Sequence, residues 1–388
     1  MIRNWNGKPY HSLDYMLKER FGEKVYKVTL NGGMSCPNRD GKVGTGGCIF
    51  CSAGGSGDFA ASSSLSIREQ IESQIAMISE KRPIRKYIAY FQAYTNTYAP
   101  VEYLEKIFTE AISHPDILGL SIGTRPDCLG DDVVALLSRL NRQKPVWVEL
   151  GLQTMHQDTA LYIRRGYPLS VFEEAVYALR KENIEVIVHT ILGLPGENRE
   201  KVLSTMDYLN TMDIQGVKLQ LLHVLKGTDL AADYEKGLFS VLEREEYLDL
   251  VIDCLERLNP DIVIHRVTGD GPKELLLAPL WASRKREVLN LLHAEVFREK
   301  NFFKEDIKIG NTIYHLQINC IVYAETCRIL SYKLPDFRIY PGAGIHKLFS
   351  SSGGCFRACG GGINRKTYHF QYFLLSSHGR WKEHALLF

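Results

Sequence analysis

Between residues 66 and 266, segments with helical spacing of apolar residues alternate with short apolar strands at a repeat of roughly thirty residues. Ser66 and Glu69 form a capping box opening a helix whose Ile67, Ile71, Ile75 and Ile78 share one face, and a strand is expected over 87–91. Leu104, Ile107, Phe108 and Ala111 precede a strand over 118–122, and Val133, Leu136, Leu137 and Leu140 precede one over 146–150. Ser170 and Glu173 cap a helix that buries Phe172, Ala175, Val176 and Leu179 and ends at Asn183, before a strand over 185–191. The helix around Val202, Met206 and Leu209 leads to a strand over 217–222, and Leu248, Val251, Ile252 and Leu255 lead to one near 262–266. Ahead of these units, residues 12–20 read as a short amphipathic helix and 24–30 as a first strand. Such alternation gives a parallel sheet with helices outside it. Six units plus one extra strand are too few for a complete eight-unit barrel.

One loop breaks the rhythm: NGGMSCPNRDGKVGTGGCIFCSAGGSGD, residues 31–58. Its nine glycines let the backbone turn with positive φ and approach a ligand closely, and it carries Cys36, Cys48 and Cys51. Three thiolates on such a loop point to a metal. A structural zinc wants a fourth ligand nearby, and the nearest histidine and next cysteine are His11 and Cys128. A 4Fe-4S cubane held by three thiolates instead keeps one iron free of protein ligands, open to a small molecule. Three buried structural thiols or a zinc knuckle are the plainer alternatives.

With 388 residues and 45% hydrophobic content the chain can bury a sizeable core. The start, MIRNWNGKPYHSLDY, has no apolar leader core, and no run approaches the ~18 uncharged apolar residues of a membrane span, so no membrane association and a cytoplasmic location are expected. Nine cysteines, an odd number, suit a reducing compartment better than a disulfide framework. A net charge of +2 leaves any nucleic-acid contact to local patches. Three are present: Lys81, Arg82, Arg85 and Lys86; Arg164 and Arg165; Arg284, Lys285 and Arg286. Each is a solvated helix face by default, and a set of phosphate contacts if the partner is RNA.

With Phe50 just before its last cysteine, the trio resembles the cluster loop of radical S-adenosylmethionine enzymes, the usual CX3CX2C spacing being stretched to CX11CX2C. CPNRDGKVGTGGCIFCS resembles the bacterial YhcC/YtqA group, a subfamily close to Elongator protein 3. YFQAYTNTYAP at 90–100, IGTRPDCL at 122–129, ELGLQT at 149–154, HTILGLPGE at 189–197 and HRVTGDGPKELLLAPLW at 265–281 extend the match over about the first three quarters of the chain. The resemblance implies an α/β fold, a partial (β/α)6 TIM-like barrel over 1–300, with its site at the C-terminal ends of the strands. It implies a 4Fe-4S cluster on Cys36, Cys48 and Cys51, an electron donor such as flavodoxin or ferredoxin, and S-adenosylmethionine chelated to the open iron. Reductive cleavage then yields a 5'-deoxyadenosyl radical that removes a hydrogen atom from carbon.

Where the family carries a GGE-like segment for the methionyl amine, this chain has FQAYTNTY, which contains no acidic residue, so Gln92, Thr95 and Asn96 are the candidate contacts and Tyr94 and Tyr98 read equally as loop packing. HTILGLPGE resembles the adenine-contacting GXIXGXXE motif: Ile191 and Gly193 keep their places, His189 replaces glycine and Glu197 is displaced by one. Glu149 and Gln153 at the fourth strand's end are expected to meet the ribose or sulfonium, with a satisfied core glutamate as the alternative. Arg125 with Asp127, and Arg266 with Asp270, meet cofactor or substrate, or else form internal ion pairs. Glu149, Gln153 and Arg266 are the catalytic candidates, and Gln220 and His223 are candidate substrate contacts.

Resemblance to the YtqA/MnmL-like branch implies tRNA as the substrate, with conversion of a 5-carboxymethylaminomethyl group on the wobble uridine to 5-aminomethyl and a methyltransferase acting downstream. The enzymatic alternative is a small metabolite or tetrapyrrole as substrate; the alternative outside that class is a nonenzymatic zinc-containing RNA-binding module. From about Asn301 helical periodicity fades and Cys320, Cys327, Cys355 and Cys359 appear among glycine runs. Residues 301–388 read as an atypical extension, poorly structured or the product of a frame change, with a second cluster on those four cysteines as the sharper alternative.

Overall fold

The computed structural model describes residues 5–300, apart from 56, 59, 81–84 and 270, and beyond them only the backbone of seven short strands. Helix α1 (Leu13–Phe21) and strand β1 (Val25–Leu30) lead into the cysteine loop. There follow α2 (Ile67–Ser79), β2 (Lys86–Phe91), α3 (Val101–Ile112), β3 (Ile117–Thr124), α4 (Asp131–Asn141) and β4 (Val146–Gln153). Next come α5 (Gln157–Tyr162), α6 (Leu169–Lys181), β5 (Glu185–Leu192), α7 (Arg199–Thr211) and β6 (Gly216–Leu221). The chain continues with β7 (Val224–Leu225), α8 (Asp229–Glu235), α9 (Arg244–Arg257), β8 (Val263–Arg266), β9 (Leu276–Ala278) and α10 (Lys285–Lys300).

Seven strands form one sheet in the order β1-β2-β3-β4-β5-β6-β8, every neighbouring pair parallel. This is the expected partial barrel: six strand–helix units after a leading strand, with β1 and β8 left as edges. The segment before α1 covers part of the β8 edge. Ser12, whose hydroxyl caps α1, bridges to Ile264, and the Ile264 N–H donates to the His11 carbonyl at 2.7 Å.

The helices pack by the stripes read in the sequence. In α3, Leu104, Phe108 and Ala111 are fully buried and Ile107 nearly so; each large side chain buried this way stabilises the fold by about 1.5–3 kcal/mol. Ser66 and Glu69 make both bonds of the capping box on α2. For α6 the expectation is corrected: Pro168 is the N-cap, and its fixed φ of −75° sets the entry, so Ser170 lies inside the first turn and Glu173 beyond it. Strand β4 runs on to Gln153 through an irregularity after Gly151, and Gln153 takes a positive φ of 62°. The short elements α5, α8, β7 and β9 were not anticipated, because two to seven residues are too few to display a periodicity.

Residues 1–292 and 293–388 form two compact units. The second contains three antiparallel sheets: β10 (Phe303–Ile309) with β11 (Thr312–Ile318); β12 (Phe337–Tyr340), β13 (Ile345–Ser350) and β14 (Cys355–Cys359); and β15 (His369–Leu375) with β16 (Trp381–Leu387). Cys320 and Cys327 lie outside the described residues, as do the side chains of Cys355 and Cys359, and so does the proposed second cluster. Among the described residues no helix is long and apolar enough to cross a membrane.

Candidate active site

The cysteine loop is anchored at both ends by groups the sequence hides in plain view. Buried Gln70 of α2 accepts the Asn31 N–H at 2.9 Å and donates to the carbonyls of Asn31 and Leu65 at 3.0 Å. At the far end Tyr94, held at φ 56°, donates its N–H to the Gly55 carbonyl at 2.8 Å and its hydroxyl to the Ala53 carbonyl at 2.5 Å. Tyr94 therefore packs the loop. Between these anchors the Cys51 N–H closes a turn on the Cys48 carbonyl at 2.9 Å, and the Arg39 guanidinium spans the carbonyls of Cys51 and Ser52 at 3.0 and 2.6 Å. Ile49 fastens the loop to a core of Ile163, Leu222 and Leu230.

Cys36, Cys48 and Cys51 are free thiols facing a cavity of about 260 Å³, whose other wall is the C-terminal ends of the barrel strands. The Asn38 amide donates to the Cys48 sulfur at 3.5 Å. Burial, then the neighbouring Cys51, pushes the Cys48 thiol up to about 11, and burial raises Cys51 as well; a bound metal supplies the compensation that ionises such thiols. Among the described residues no three Cys, His, Asp or Glu side chains converge as one ion would require. Three thiolates facing one cavity are the donor set of a 4Fe-4S cubane, which spreads them over separate irons.

Glu149 lines the floor of this cavity with a solvent-buried side chain. Lys27 Nζ donates to Oε1 at 2.6 Å and the Ser121 hydroxyl to the same oxygen at 2.6 Å, while His189 Nε2 lies 2.7 Å from Oε2, which also receives Lys218 Nζ. Each carboxylate oxygen thus already has two internal hydrogen-bond partners, the arrangement of the satisfied core glutamate that stood as the alternative to a ribose or sulfonium contact. Burial alone would raise this carboxyl, but Lys218, Lys27 and His189 outweigh it and hold it well below the ordinary range. Gln220 Nε2 lies 3.2 Å from His189 Nδ1, so the amide donates there and the imidazole is a neutral Nε2–H tautomer. Burial and Lys218 push His189 down to about 4, in agreement with that tautomer.

Of the other anticipated residues, Gln92, Thr95, Arg125, Gln153, Ile191, Gln220, His223 and Arg266 line the same cavity, whereas Asn96, Asp127 and Gly193 do not. Asn96 turns away to donate to the Gly123 carbonyl at 2.8 Å. Arg125 is clamped on Asp127 by bonds of 2.9 and 2.7 Å and donates to the Arg165 carbonyl at 2.9 Å, so that pair is internal. Gly193 serves conformation: its φ is 85°, and an added Cβ would lie 3.0 Å from Leu242. Arg165 is corrected too. It is 1% exposed and donates to the carbonyls of Leu152, Thr154 and Tyr167, so it belongs to no RNA-facing patch, while Arg164 stays exposed and paired with Asp229. Asp270, Lys81 and Arg82 lie outside the described residues. Sequence reading missed Lys27 and Lys218; the available signal was a lysine at an inward position of an otherwise apolar strand, VYKVTL and GVKLQL.

Comparison with known proteins agrees with this geometry. The Radical SAM superfamily profile matches residues 40–209 and the Radical_SAM C-terminal domain residues 214–298. The chain is 49% identical over 289 residues to the uncharacterized protein YtqA of Bacillus subtilis, covering 74% of this chain and 90% of that one. It is 38% identical over 270 residues to protein YhcC of Escherichia coli, covering 69% and 86%. More distantly, it is 30% identical over 192 residues to a tRNA uridine(34) acetyltransferase of Dehalococcoides mccartyi, covering 49% of this chain and 41% of that one. The structure of archaeal Elp3 from Methanocaldococcus infernus shares the fold, with a TM-score of 0.53 at 14% identity over 90% of this chain and 78% of that one. A zinc-based binding module is thereby set aside: the chain belongs to the radical S-adenosylmethionine superfamily, as an enzyme that uses a 4Fe-4S cluster and S-adenosylmethionine.

Proposed function

We propose that this enzyme acts on tRNA, converting the 5-carboxymethylaminomethyl group of the wobble uridine to 5-aminomethyl. The observation that carries this reading is the similarity, across half the chain, to a protein named for action on tRNA uridine 34. Lys42, Lys226 and Lys273 add support, being exposed on loops that also supply cavity-lining residues, where phosphates of a bound strand would lie. The bound cluster and S-adenosylmethionine supply a carbon radical able to take an unactivated hydrogen. Cys36, Cys48 and Cys51 would hold the cluster, and Gln92, Thr95, Gln153 and Ile191 would face the cofactor. The methylene beside nitrogen gives up a hydrogen atom and then one electron, so that S-adenosylmethionine is the net two-electron oxidant, and water hydrolyses the resulting imine to the 5-aminomethyl amine and glyoxylate. A flavodoxin or ferredoxin delivers the electron, and a methyltransferase acts on the product.

Mass spectrometry of tRNA nucleosides from a deletion strain tests the reading. The carboxymethylaminomethyl nucleoside should accumulate and the aminomethyl nucleoside disappear. Unchanged levels of both would exclude it.

A further inference from the structure

The barrel floor holds more positive than negative charge. Lys27, Lys218 and Arg266 stand against the single carboxylate of Glu149, and the nearby His189 is neutral. Elsewhere around the cavity Arg125 is clamped on Asp127, Arg39 and Asp58 carry opposite signs on the cysteine side, and the buried Arg165 spends its guanidinium on the carbonyls of Leu152, Thr154 and Tyr167. Lys27 and Lys218 are committed to Glu149, but Arg266 makes no ion pair among the described residues, although it is half-buried in the cavity wall. A guanidinium stays charged at any working pH and is costly to leave desolvated without an anion.

Position adds to this. Lys218 of β6 and Arg266 of β8 are register partners in adjacent parallel strands, and both line the cavity. The register shifts between Val217 and Lys218, skipping His265, and strands so paired lie about 4.8 Å apart, so Arg266 stands at the cavity beside a lysine already committed to Glu149 and is the cation left for a further carboxylate. The cofactor is one source of a carboxylate, but a methionyl carboxylate that chelates iron is already neutralised there. The other source is the substrate.

Resting on the tRNA reading above, we propose that Arg266 binds the carboxylate of the carboxymethylaminomethyl arm and so selects the carboxylated nucleoside. That carboxylate is one bond from the methylene that must lose hydrogen, so gripping it fixes the reacting carbon. It also separates substrate from product, because the aminomethyl product has no carboxylate to hold.

The test compares two anticodon stem-loops that differ only in the arm, carboxymethylaminomethyl or aminomethyl, binding to cluster-loaded protein with S-adenosylhomocysteine. Wild type should bind the carboxylated stem-loop about tenfold more tightly or better, the range of one charge-assisted contact. Arg266→Gln should lose that preference by weakening only the carboxylated stem-loop, and Arg266→Lys should keep part of it. Equal affinities in wild type, or equal losses for both stem-loops in Arg266→Gln, overturn the proposal. A fall in S-adenosylmethionine affinity in Arg266→Gln, with the stem-loop preference intact, assigns the site to the cofactor instead. If wild type prefers the carboxylated stem-loop yet leaves the arm intact on turnover, the conversion fails and the carboxylate site stands; turnover without preference gives the reverse. Binding of neither stem-loop overturns both.

Discussion

Burial penalises both members of the Lys218–Glu149 pair, yet they fare differently because Glu149 draws on several donors while Lys218 shares one carboxylate with Lys27 and lies near Arg266. Desolvation brings the Lys218 amine down from 10.5 to about 7, against the pull of Glu149. Between those values the unfolded chain binds more protons than the folded one, so this residue makes stability rise with pH. From pH 7 to 9 its share is on the order of 2 kcal/mol. Urea unfolding across that window should show the rise in wild type and a flatter profile in Lys218→Met; equal slopes would mean the amine is not buried as described. Removing Glu149 instead strands two cations, and Glu149→Gln should cost about 3–5 kcal/mol. Little of this network was legible in the sequence. Glu149 stood out as an acid at a strand end, but its partners come from β1, β3, β5 and β6, and no local pattern joins residues 27, 121, 149, 189 and 218.

At the scale of an element, the cysteine loop depends on how tightly Tyr94 closes over it. Gly55 has φ 58°, and an added Cβ would lie 2.2 Å from the Tyr94 ring, so an alanine there meets both backbone strain and a clash. The strain is local to the loop. Gly55→Ala should therefore reduce iron retained after anaerobic reconstitution well below the four per cubane, at least severalfold, while the melting temperature of the cluster-free protein shifts by only a few degrees. Iron content equal to wild type would show that the Tyr94 closure does not shape the site. The loop's chemistry could be read from its cysteines and glycines, and α2 from its capping box. The end of β4 could not, because its irregularity depends on pairing with β5. Asn96 and Asp127 could not either: each lies in the loop that follows a strand, and whether such a side chain faces the cavity is decided by what packs against that loop.

For the whole molecule, the parallel sheet was legible because six strand–helix units bury stripes strong enough to override local detail, and that sheet gathers the motifs at one end. Which basic residues face a macromolecule was not legible, since adjacent positions on one loop diverge: Arg164 is solvent-facing while Arg165 is sealed among carbonyls. The exposed cations on loops around the cavity are better placed to meet RNA. Lys42 lies over the Tyr98 ring, its Nζ 5.2 Å from the centroid, on the cysteine loop, and Lys273 stands on the loop after β8. If both contact phosphates, the double variant Lys42→Glu with Lys273→Glu should weaken tRNA binding and release about two fewer counterions. The log–log dependence of affinity on salt should then become shallower by up to about 1.4–1.8. Measuring that dependence for wild type and variant separates a phosphate contact from a general change in affinity, because a misfolded site would lower affinity without changing the slope in this way. An unchanged slope would remove these two loops from the RNA-binding surface, and salt-insensitive binding by the wild-type protein would argue against tRNA as the substrate.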